Sequence, residues 1–591
     1  MKKLKLILIV CSAILLALPG QTQTVNGYKS WNPASSGFPV LEGQAWPREV
    51  KDFYDRLPAK AESTVRKAVW ELSKNSAGLK LRFISDAKEI IIKYRVTGGL
   101  QMPHMPATGV SGVDMYVKTI DGKWLWCAGK YSFGDTIVYD FKNLIPNDQH
   151  VGNREYIVYL PLYNSVSWME ITYPEESLFK PLPVRRDKPV LVYGTSIAQG
   201  GVASRPGLAW TALLERKLDR PMINLAFSGN GRLEPEVLDL VAEVDAKIYV
   251  LDCLPNMVEP AFTTAELKKR LVYAVLFLQK KHPGIPILLT DHDGYTNEGT
   301  NAERGKKYQD ANAALQEVFD SLVNKGIKGI YRLTKEEIGQ DIETMVDGVH
   351  PNDMGMMRYA DAYEKKIRVI LNEPEGNIST TIPTSQRRDA KYYDWETRHA
   401  EILTYNQDHS PGLVFIGNSI THYWGGVPAS TRAGGPDSWK KYFDPLAAEN
   451  LGYGWDRIEN VLWRIYHGEL DHIHPKQIVM MIGTNNLQLN NDKEIVEGLK
   501  FLMKAIQAKQ PDARILLLGL LPRRDMEKRI SVLNAQIAAL KFDAKVHYAD
   551  AGKLFLKTDK KIDESLFSDG LHPNAAGYER FGKFIISAIK R

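Results

Sequence analysis

Apolar positions along the chain follow two different periods. Between about residues 27 and 185, short runs rich in β-branched and aromatic residues lie between turn residues, and several alternate apolar with polar positions, at 80–84, 90–96, 113–117, 136–139, 156–161 and 168–172. Alternation at period two indicates strands with one buried and one solvated face. The pattern therefore predicts an antiparallel β-sandwich for this part of the chain.

From about residue 186, short and wholly apolar strands alternate with longer helical segments. Strands are predicted at 189–193, 248–251, 286–289 and 329–333, and helices at 265–281 and 305–323. The alternation starts again after a polar, proline-containing stretch, with strands at 413–416, 477–482, 515–519 and 546–548 and helices at 495–509 and 574–589. Such alternation is typical of βαβ units around a parallel sheet.

The two α/β regions are diverged copies of one unit. The sequence GTSI at 194–197 recurs as GNSI at 417–420, an offset of 223, and DGVHPN at 347–352 recurs as DGLHPN at 569–574, an offset of 222. Two unrelated motifs shifted by nearly the same distance indicate a duplication. We predict a β-sandwich at 23–185, a first unit at 186–372, a linker with a leading helix at 373–409, and a second unit at 410–591.

Residues 1–22 have the pattern of a signal peptide. Lys2, Lys3 and Lys5 precede thirteen apolar or small residues at 6–18, and a polar stretch begins at Gln21. Thirteen residues are too few to span a bilayer, and no later apolar run approaches 18. We therefore expect an exported protein, periplasmic or extracellular, with no integral membrane segment after cleavage.

Composition excludes several classes of protein. With 44% hydrophobic and 25% charged residues, the chain has the composition of an ordinary folded protein, and its length of 591 residues predicts two or three domains. Half of the formal net charge of +6 comes from the three N-terminal lysines, so we expect no nucleic-acid partner. Cys127 and Cys253 are the only cysteines after the signal, so no disulfide framework is expected.

Each α/β unit places a serine directly after an apolar strand and before a helical segment. In an open α/β fold this puts the hydroxyls of Ser196 and Ser419 at the carboxyl edge of the sheet, where ligands bind. The amide of each serine also lies near a helix N-terminus, which favours negative charge. Both serines are therefore candidate nucleophiles.

Far downstream, each unit has the pattern Asp-x-x-His. The pairs are Asp347 with His350 and Asp569 with His572, and the separations from serine to histidine are 154 and 153 residues. A spacing of three lets one turn bring the carboxylate against the imidazole, which sets its tautomer for taking the serine proton. The pattern predicts two Ser–His–Asp triads.

A tetrahedral intermediate also needs hydrogen-bond donors for its oxyanion. Candidates follow the next two strands of each unit: Gly229 and Asn256 in the first, Trp455 and Asn485 in the second. Backbone N–H groups and asparagine amides at these places would form an oxyanion hole.

Other polar residues are candidates for contacts with substrate. Arg205 and Arg464 lie close in sequence to the proposed sites, and His104 lies in a loop of the β-sandwich that could reach the first of them. The segments 291–293 and 472–474 have metal-ligand residue types but no partner cluster at ligand spacing, so we expect no metal and no other cofactor.

The four blocks in this order, GTS or GNS, the glycine turn, the asparagine and DGxHPN, resemble the SGNH (GDSL-like) hydrolase superfamily. The second unit, with WETRH at 395–399 and NVLWR at 460–464, is similar to the platelet-activating-factor acetylhydrolase-like branch. The N-terminal region resembles the β-sandwich that precedes some bacterial SGNH hydrolases. The resemblance implies flavodoxin-like α/β/α units and metal-independent ester hydrolysis, with the two triads as catalytic residues.

The sequence departs from the family pattern at three places. The usual aspartate before the nucleophile is Thr195 in one unit and Asn418 in the other. Trp455 stands where the oxyanion glycine is expected, so its ring would reshape the pocket, and the block before Asn256 reads DCLP instead of the usual glycine-containing sequence.

These observations favour an exported carbohydrate esterase with two catalytic units. It would remove acetyl or other short acyl groups from a polysaccharide or glycan through an acyl-enzyme. Two alternatives remain open: a lipid acyl-ester hydrolase of lysophospholipase type, and a glycan-binding protein in which one unit has lost activity. The oligomeric state does not follow from the sequence.

Overall fold

The computed structural model describes residues 24–25, 27–119, 122–144, 154–258, 262–388 and 392–590, and the predicted signal peptide lies outside them. This part of the chain folds into an antiparallel sandwich followed by two parallel α/β units, which confirms the predicted architecture. None of its helices combines the length and the apolar character needed to cross a membrane.

The sandwich consists of two antiparallel sheets with strand orders β1-β2-β11-β5-β9-β8 and β12-β4-β10-β6-β7, and β3 pairs with β4. Its strands are β1 Thr24–Val25, β2 Tyr28–Trp31, β3 Leu41–Glu42, β4 Lys80–Ser85, β5 Glu89–Val96, β6 Asp114–Lys118, β7 Trp124–Cys127, β8 Lys130–Ser132, β9 Ile137–Lys142, β10 Arg154–Tyr159, β11 Val166–Pro174 and β12 Phe179–Pro181. Two short helices accompany them, α1 Lys67–Ser73 and α2 Ala107–Val110. Strand β5 alternates buried and partly exposed residues over most of its length, as the period-two pattern predicts.

The first unit has a five-stranded parallel sheet in the order β14-β13-β15-β16-β17. The strands are β13 Val190–Gly194, β14 Met222–Ala226, β15 Ile248–Asp252, β16 Ile287–Thr290 and β17 Ile330–Leu333. The helices are α3 Ser196–Gln199, α4 Trp210–Leu218, α5 Pro235–Val241, α6 Thr264–Lys281, α7 Ala302–Asn324, α8 Lys335–Ile338 and α9 Asp353–Leu371. This is the flavodoxin-like order, with a topological switch point beside the first strand.

The second unit repeats this order as β19-β18-β20-β21-β22. The strands are β18 Leu413–Gly417, β19 Ala448–Gly452, β20 Gln477–Met481, β21 Arg514–Leu518 and β22 Val546–Ala549. The helices are α10 Trp395–Asp408, α11 Ser419–His422, α12 Pro436–Tyr442, α13 Ile458–Tyr466, α14 Asp492–Lys509, α15 Glu527–Ala538 and α16 Ala575–Ile589. Wholly buried strands such as β18 need helices on both faces of the sheet, which the alternation supplies.

Part of the N-terminal region belongs to the core of the first unit. Trp46, Leu57 and Trp70 lie in the same buried cluster as residues of β14 and β15. Arg56 is 1% exposed, and its guanidinium donates to the backbone carbonyls of Asn224 (3.0 Å) and Ala226 (2.8 Å) in β14. The sandwich region and the first unit are therefore joined by a shared core, which the sequence pattern did not indicate.

Buried ion pairs join the sandwich to the second unit. Arg82 in β4 contacts Glu155 (2.6 Å) in β10 and Glu396 (2.5 Å) in α10. Arg387 contacts the same two carboxylates, at 3.0 and 2.8 Å. Because each buried charge has partners from the other side of the junction, moving the two parts away from each other would leave charges unpaired.

The predicted linker packs against both units. Thr380 is fully buried and Gln386 is 4% exposed. The hydroxyl of Ser385 donates to Asp219 of the first unit (2.7 Å), and the amide of Gln386 donates to Asp456 of the second (3.0 Å). The polar composition of the segment reflects hydrogen bonds to the two units.

One buried carboxylate makes the stability of the second unit dependent on pH. Glu449 in β19 is 1% exposed, and its oxygens accept no hydrogen bond from the described residues. Burial raises its pKa to about 8, and Glu469 adds to the rise. The folded protein therefore keeps a proton that the unfolded chain releases above about pH 4.5, so stability declines as the pH rises from there to about 8.

Glu449→Gln is expected to raise the melting temperature of the second unit at pH 9 by about 10 °C or more, because the pKa rise from 4.5 to about 8 spans several units, and to change it little at pH 5. One pKa unit corresponds to about 1.4 kcal/mol, and 1 kcal/mol shifts the melting temperature of a unit of this size by about 2–4 °C. Calorimetry between pH 5 and 9 measures the effect, with the exposed Glu401→Gln as control. Parallel curves for the Glu449→Gln variant and the wild type would contradict the prediction.

Candidate active sites

The candidate nucleophile of the first unit lies at the carboxyl end of β13. Ser196 is the first residue of α3 and is 7% exposed. A Cβ on Gly194 would lie 2.7 Å from the side chain of Ala198 and 3.2 Å from the carbonyl of Asp252, so glycine is needed for the tight passage from strand to helix. The turn brings Ser196 to the sheet edge where ligands of this fold bind.

Ser196, His350 and Asp347 form a continuous chain of hydrogen bonds. Ser196 Oγ lies 2.8 Å from His350 Nε2, and His350 Nδ1 lies 2.8 Å from Asp347 Oδ2. The other carboxylate oxygen accepts the amides of Val349 (3.0 Å) and His350 (2.8 Å), and Gly348, which follows Asp347 directly, has a φ of 84°. A serine hydroxyl that donates to the ring requires the proton on Nδ1, which the aspartate holds there.

The second unit repeats this geometry. Ser419 opens α11, is 6% exposed, and has its Oγ 2.8 Å from His572 Nε2. His572 Nδ1 lies 2.6 Å from Asp569 Oδ2, while the amides of Leu571 and His572 donate to the other oxygen at 2.9 and 2.8 Å. Both triads predicted from the motif spacing are therefore assembled as hydrogen-bonded groups.

The environment keeps both aspartates ionised. Burial acts to raise the pKa of Asp347, but the hydrogen bonds from the His350 amide and ring outweigh it, so the pKa lies below its ordinary value. The same balance, with His572 as the donor, lowers the pKa of Asp569. An ionised carboxylate can stabilise the imidazolium that forms when histidine takes the serine proton.

The oxyanion candidates Gly229 and Trp455 occupy equivalent places. Two residues before each candidate, an aromatic residue directly follows a strand, and its amide donates to a carbonyl in the nucleophile turn. Phe227 donates to Gly194 (3.0 Å), and Tyr453 donates to Gly417 (3.1 Å). Gly229 has a φ of 68° and Trp455 a φ of 62°. Neither amide donates a hydrogen bond to another described residue, so both are available to an oxyanion.

The two candidate asparagines are held in different ways. The side-chain oxygen of Asn256 accepts a hydrogen bond from the amide of Gly231 (3.1 Å). The two N–H groups of the Asn256 side chain take no part in this bond. The side-chain nitrogen of Asn485 donates to the carbonyl of Asp456 (2.9 Å) and has a second N–H beside it. Each unit thus has an amide donor fixed close to the turn that carries Gly229 or Trp455.

A further pair of asparagines positions the nucleophile helices. Asn224 in β14 donates to the carbonyl of Ala198 (2.7 Å) in α3, and Asn450 in β19 donates to the carbonyl of Thr421 (2.8 Å) in α11. Both residues are 1% exposed. The sequence analysis assigned neither asparagine a role, and the signal that could have found them is an asparagine inside an otherwise apolar strand.

Two candidates for substrate contact have other partners. Arg464 is fully buried in α13, where it pairs with Asp456 (2.9 Å) and with Glu469, so it does not line the site. Arg205 pairs with Asp114 of the sandwich (2.5 Å), and its guanidinium lies 4.6 Å from the ring of Trp126. Nearness in sequence did not indicate the direction in which either side chain points.

His104 of the sandwich reaches the first active site. The centroids of the His104 and His350 rings are 6.1 Å apart. His104, Asp347 and His350 offer ligand atoms within 4.8 Å of one another, the one such cluster found in the described ranges. Since Asp347 and His350 already bond to each other, the cluster is part of the first site. Asp291, in another segment with ligand residue types, pairs instead with Arg332 (2.7 Å).

Three side chains that sequence analysis missed lie beside the base of the second site: Tyr423, Arg432 and Tyr392. The ring of Tyr423 lies 5.9 Å from that of His572. The guanidinium of Arg432 lies 4.6 Å from the rings of both Tyr423 and Tyr392. Trp455, on the oxyanion side, is 43% exposed. The sequence signal for Tyr423 and Arg432 is the long loop between α11 and α12, which starts beside the nucleophile.

Comparisons with known families agree with this geometry. Models of the GDSL-like lipase/acylhydrolase family match residues 187–368 and 415–580. The model for the N-terminus of SGNH-hydrolase-type esterases matches residues 28–179. The fold, the two hydrogen-bonded triads and these matches define an SGNH-type acylhydrolase.

Individual relatives support the same conclusion. Platelet-activating factor acetylhydrolase IB subunit alpha1 of Homo sapiens is 33% identical over 202 residues, 33% of this chain and 83% of the relative. Subunit alpha2 of Bos taurus is 31% identical over 194 residues, 32% of this chain and 80% of the relative. The crystal structure of a candidate GDSL-like lipase from Bacteroides ovatus ATCC 8483 is 30% identical, with a TM-score of 0.53, and the match covers 58% of this chain and 98% of that one. The chain belongs to the SGNH (GDSL-like) hydrolase family and carries its catalytic unit twice.

Proposed function

We propose that the protein is an exported serine esterase whose two units each remove acetyl or another short acyl group from a polysaccharide or glycan. The observation that carries the proposal is the complete hydrogen-bonded chain from serine through histidine to aspartate in both units. The lysines and short apolar run of residues 1–22 support export.

In the acylation step, His350 Nε2 takes the proton of Ser196 Oγ as the oxygen attacks the ester carbonyl. The oxyanion accepts hydrogen bonds from the amide of Gly229 and the side chain of Asn256. When the intermediate collapses, His350 gives the proton to the leaving sugar oxygen, which departs as an alcohol. Asp347 remains ionised throughout and stabilises the imidazolium.

Deacylation runs through the same groups with water in place of the sugar alcohol. The histidine takes a proton from water, the hydroxide attacks the acyl-serine, and the serine oxygen leaves with the proton returned by the histidine. The products are the free carboxylic acid and the original enzyme. In the second unit, Ser419, His572, the Trp455 amide and Asn485 take the corresponding roles.

Two observations support short acyl esters on sugars. Side chains around the second site combine aromatic rings with the guanidinium of Arg432, a mixture suited to a ligand with apolar faces and many hydroxyls. The curated relatives are named as acetylhydrolases, which favours a small acyl group. The same relatives are named for a lipid, platelet-activating factor, so an acetylated lipid is the second candidate substrate.

The wild type is expected to release acetate from acetylated polysaccharides and to hydrolyse p-nitrophenyl acetate at least about tenfold faster than the octanoate. A pocket lined for a small acyl group gains nothing from the longer chain and must exclude it. Acetate assays and a p-nitrophenyl ester series from acetyl to dodecanoyl measure this, and a protein with both serines replaced by alanine is the control.

The remaining outcomes separate the alternatives. A hydrolysis rate that rises with acyl chain length would contradict the carbohydrate esterase and favour a lipid acyl-ester hydrolase. Absence of turnover on every ester, together with no labelling by a fluorophosphonate probe, would favour a glycan-binding protein without esterase activity.

A further inference from the structure

The second active site carries a tryptophan where the backbone conformation favours glycine. Trp455 has a φ of 62°, in the left-handed region that bulky residues rarely adopt. At the equivalent place in the first unit, a Cβ built on Gly229 would meet nothing within 4 Å. The first unit therefore leaves open the space beside the oxyanion amide, and the second unit places an indole there.

The exposure of the indole adds to the free-energy cost of having tryptophan at this position. Trp455 is 43% exposed, so a large apolar ring stays partly in water beside the oxyanion amide. Glycine would remove both the backbone strain and the exposed surface, as Gly229 does in the first unit. Residues held in an unfavourable conformation beside reacting groups are typical of functional positions.

A basic and aromatic group lies beside the base of the second site. Arg432 lies with its guanidinium 4.6 Å from the ring of Tyr423, which itself is 5.9 Å from the ring of His572. The hydroxyl of Tyr393 donates to the carbonyl of Gly454 (2.9 Å), directly before Trp455. The indole thus stands on the oxyanion side of Ser419, and Arg432 stands on the side of the base.

We propose that Trp455 is a stacking platform for a pyranose ring of the substrate, with Arg432 donating hydrogen bonds to that sugar's hydroxyls. A pyranose presents an apolar face of C–H groups with hydroxyls around its edge, which matches a site that offers both an exposed indole and a guanidinium. This inference rests on the proposed function and deepens it. Because Gly229 offers no ring, the two units differ in how they hold the sugar.

Direct binding tests the platform without catalysis. In the Ser196→Ala/Ser419→Ala protein, calorimetric titration with xylohexaose, cellohexaose and mannohexaose is expected to identify a bound sugar. Trp455→Gly should weaken its affinity about tenfold, whereas Trp455→Phe should retain most of it because a ring remains. Tyr131→Ala, at an exposed tyrosine of the sandwich, is the matched control and should bind as the parent does. Equal affinity for the parent and the Trp455→Gly protein would overturn the proposal.

Turnover provides a second readout. In the Ser196→Ala background, where Ser419 is the remaining nucleophile, Trp455→Gly should lower the ratio of kcat/KM for an acetylated xylo-oligosaccharide to that for p-nitrophenyl acetate by about tenfold. An unchanged ratio would mean that the residue acts only through its amide, and the platform would be wrong.

The two readouts also separate this inference from the proposed function. If sugar binding depends on Trp455 but no carbohydrate ester is cleaved, the proposed esterase function fails and the platform stands. If carbohydrate esters are cleaved and neither affinity nor the ratio depends on Trp455, the function stands and the platform fails.

Discussion

The Ser196→Ala/Ser419→Ala protein is expected to lose esterase activity by at least about 10⁴-fold, while each single variant loses only the reactions of its own unit. The hydroxyl oxygen is the attacking atom, and it lies 2.8 Å from the base in both units. Alanine removes that oxygen and leaves the remaining hydrogen bonds of the triad in place. Acetate release by the wild type, the two single variants and the double variant measures the effect.

Labelling with a fluorophosphonate probe locates the reactive serines independently of substrate. The wild type should be labelled at two sites, each single variant at one, and the double variant at none. Ser321→Ala, at an exposed serine of α7, is the control and should behave as the wild type. If one single variant loses all activity and label while the other loses none, only one unit is catalytic and the two-unit proposal is wrong.

Arg464→Ala is expected to destabilise the second unit by about 3–5 kcal/mol, which corresponds to a fall of about 10 °C or more in its melting temperature. Arg464, Asp456 and Glu469 are all fully buried. The guanidinium pairs with both carboxylates and lies 3.9 Å from the ring of Tyr453. Alanine leaves two buried carboxylates without their cation, and desolvation makes such charges costly.

The same substitution should impair the second active site and spare the first. The carbonyl of Asp456 accepts the amide of Asn485 (2.9 Å), and Asp456 follows Trp455 directly, so its displacement moves both oxyanion donors. Calorimetry combined with site-specific labelling of Ser196 and Ser419 measures stability and activity separately.

Two further variants make the Arg464 prediction specific. Arg464→Lys keeps the charge but not the planar fork, and should lie between the wild type and alanine. Arg514→Ala, an exposed arginine at the start of β21, should change stability by about 0.5 kcal/mol or less. A melting temperature of the Arg464→Ala protein equal to that of the wild type would contradict the prediction.

The two units share their triads and differ around them. His104 of the sandwich approaches the first site, whereas aromatic side chains and Arg432 approach the second. At the oxyanion turn the difference is Gly229 against Trp455, where a left-handed non-glycine residue costs about 1–2 kcal/mol. A duplicated unit that keeps its chemistry and changes its surroundings is suited to two related substrates.

The sequence by itself determined the architecture and the reacting groups. The apolar–polar alternation of the sandwich strands and the succession of strands and helices in the two units can be read locally, because each element's own residues must supply its buried face. The triads could be found because a nucleophile, a base and an orienting carboxylate need particular residue types in a particular order. Ser196 with His350, and Ser419 with His572, therefore appeared as pairs with almost equal spacing.

Only the tertiary structure decided where side chains far apart in sequence meet. Arg464 and Arg205 were predicted near substrate. In the folded protein Arg464 lies in a buried ion-pair network, and Arg205 pairs with Asp114 of the sandwich. The segment containing Trp46 and Trp70 contributes to the core of the first unit, and the polar linker has buried residues such as Thr380 and Gln386. Such contacts depend on how the three folded parts pack against one another. The residues that stabilise this packing are far apart in sequence and form no periodic pattern along the chain.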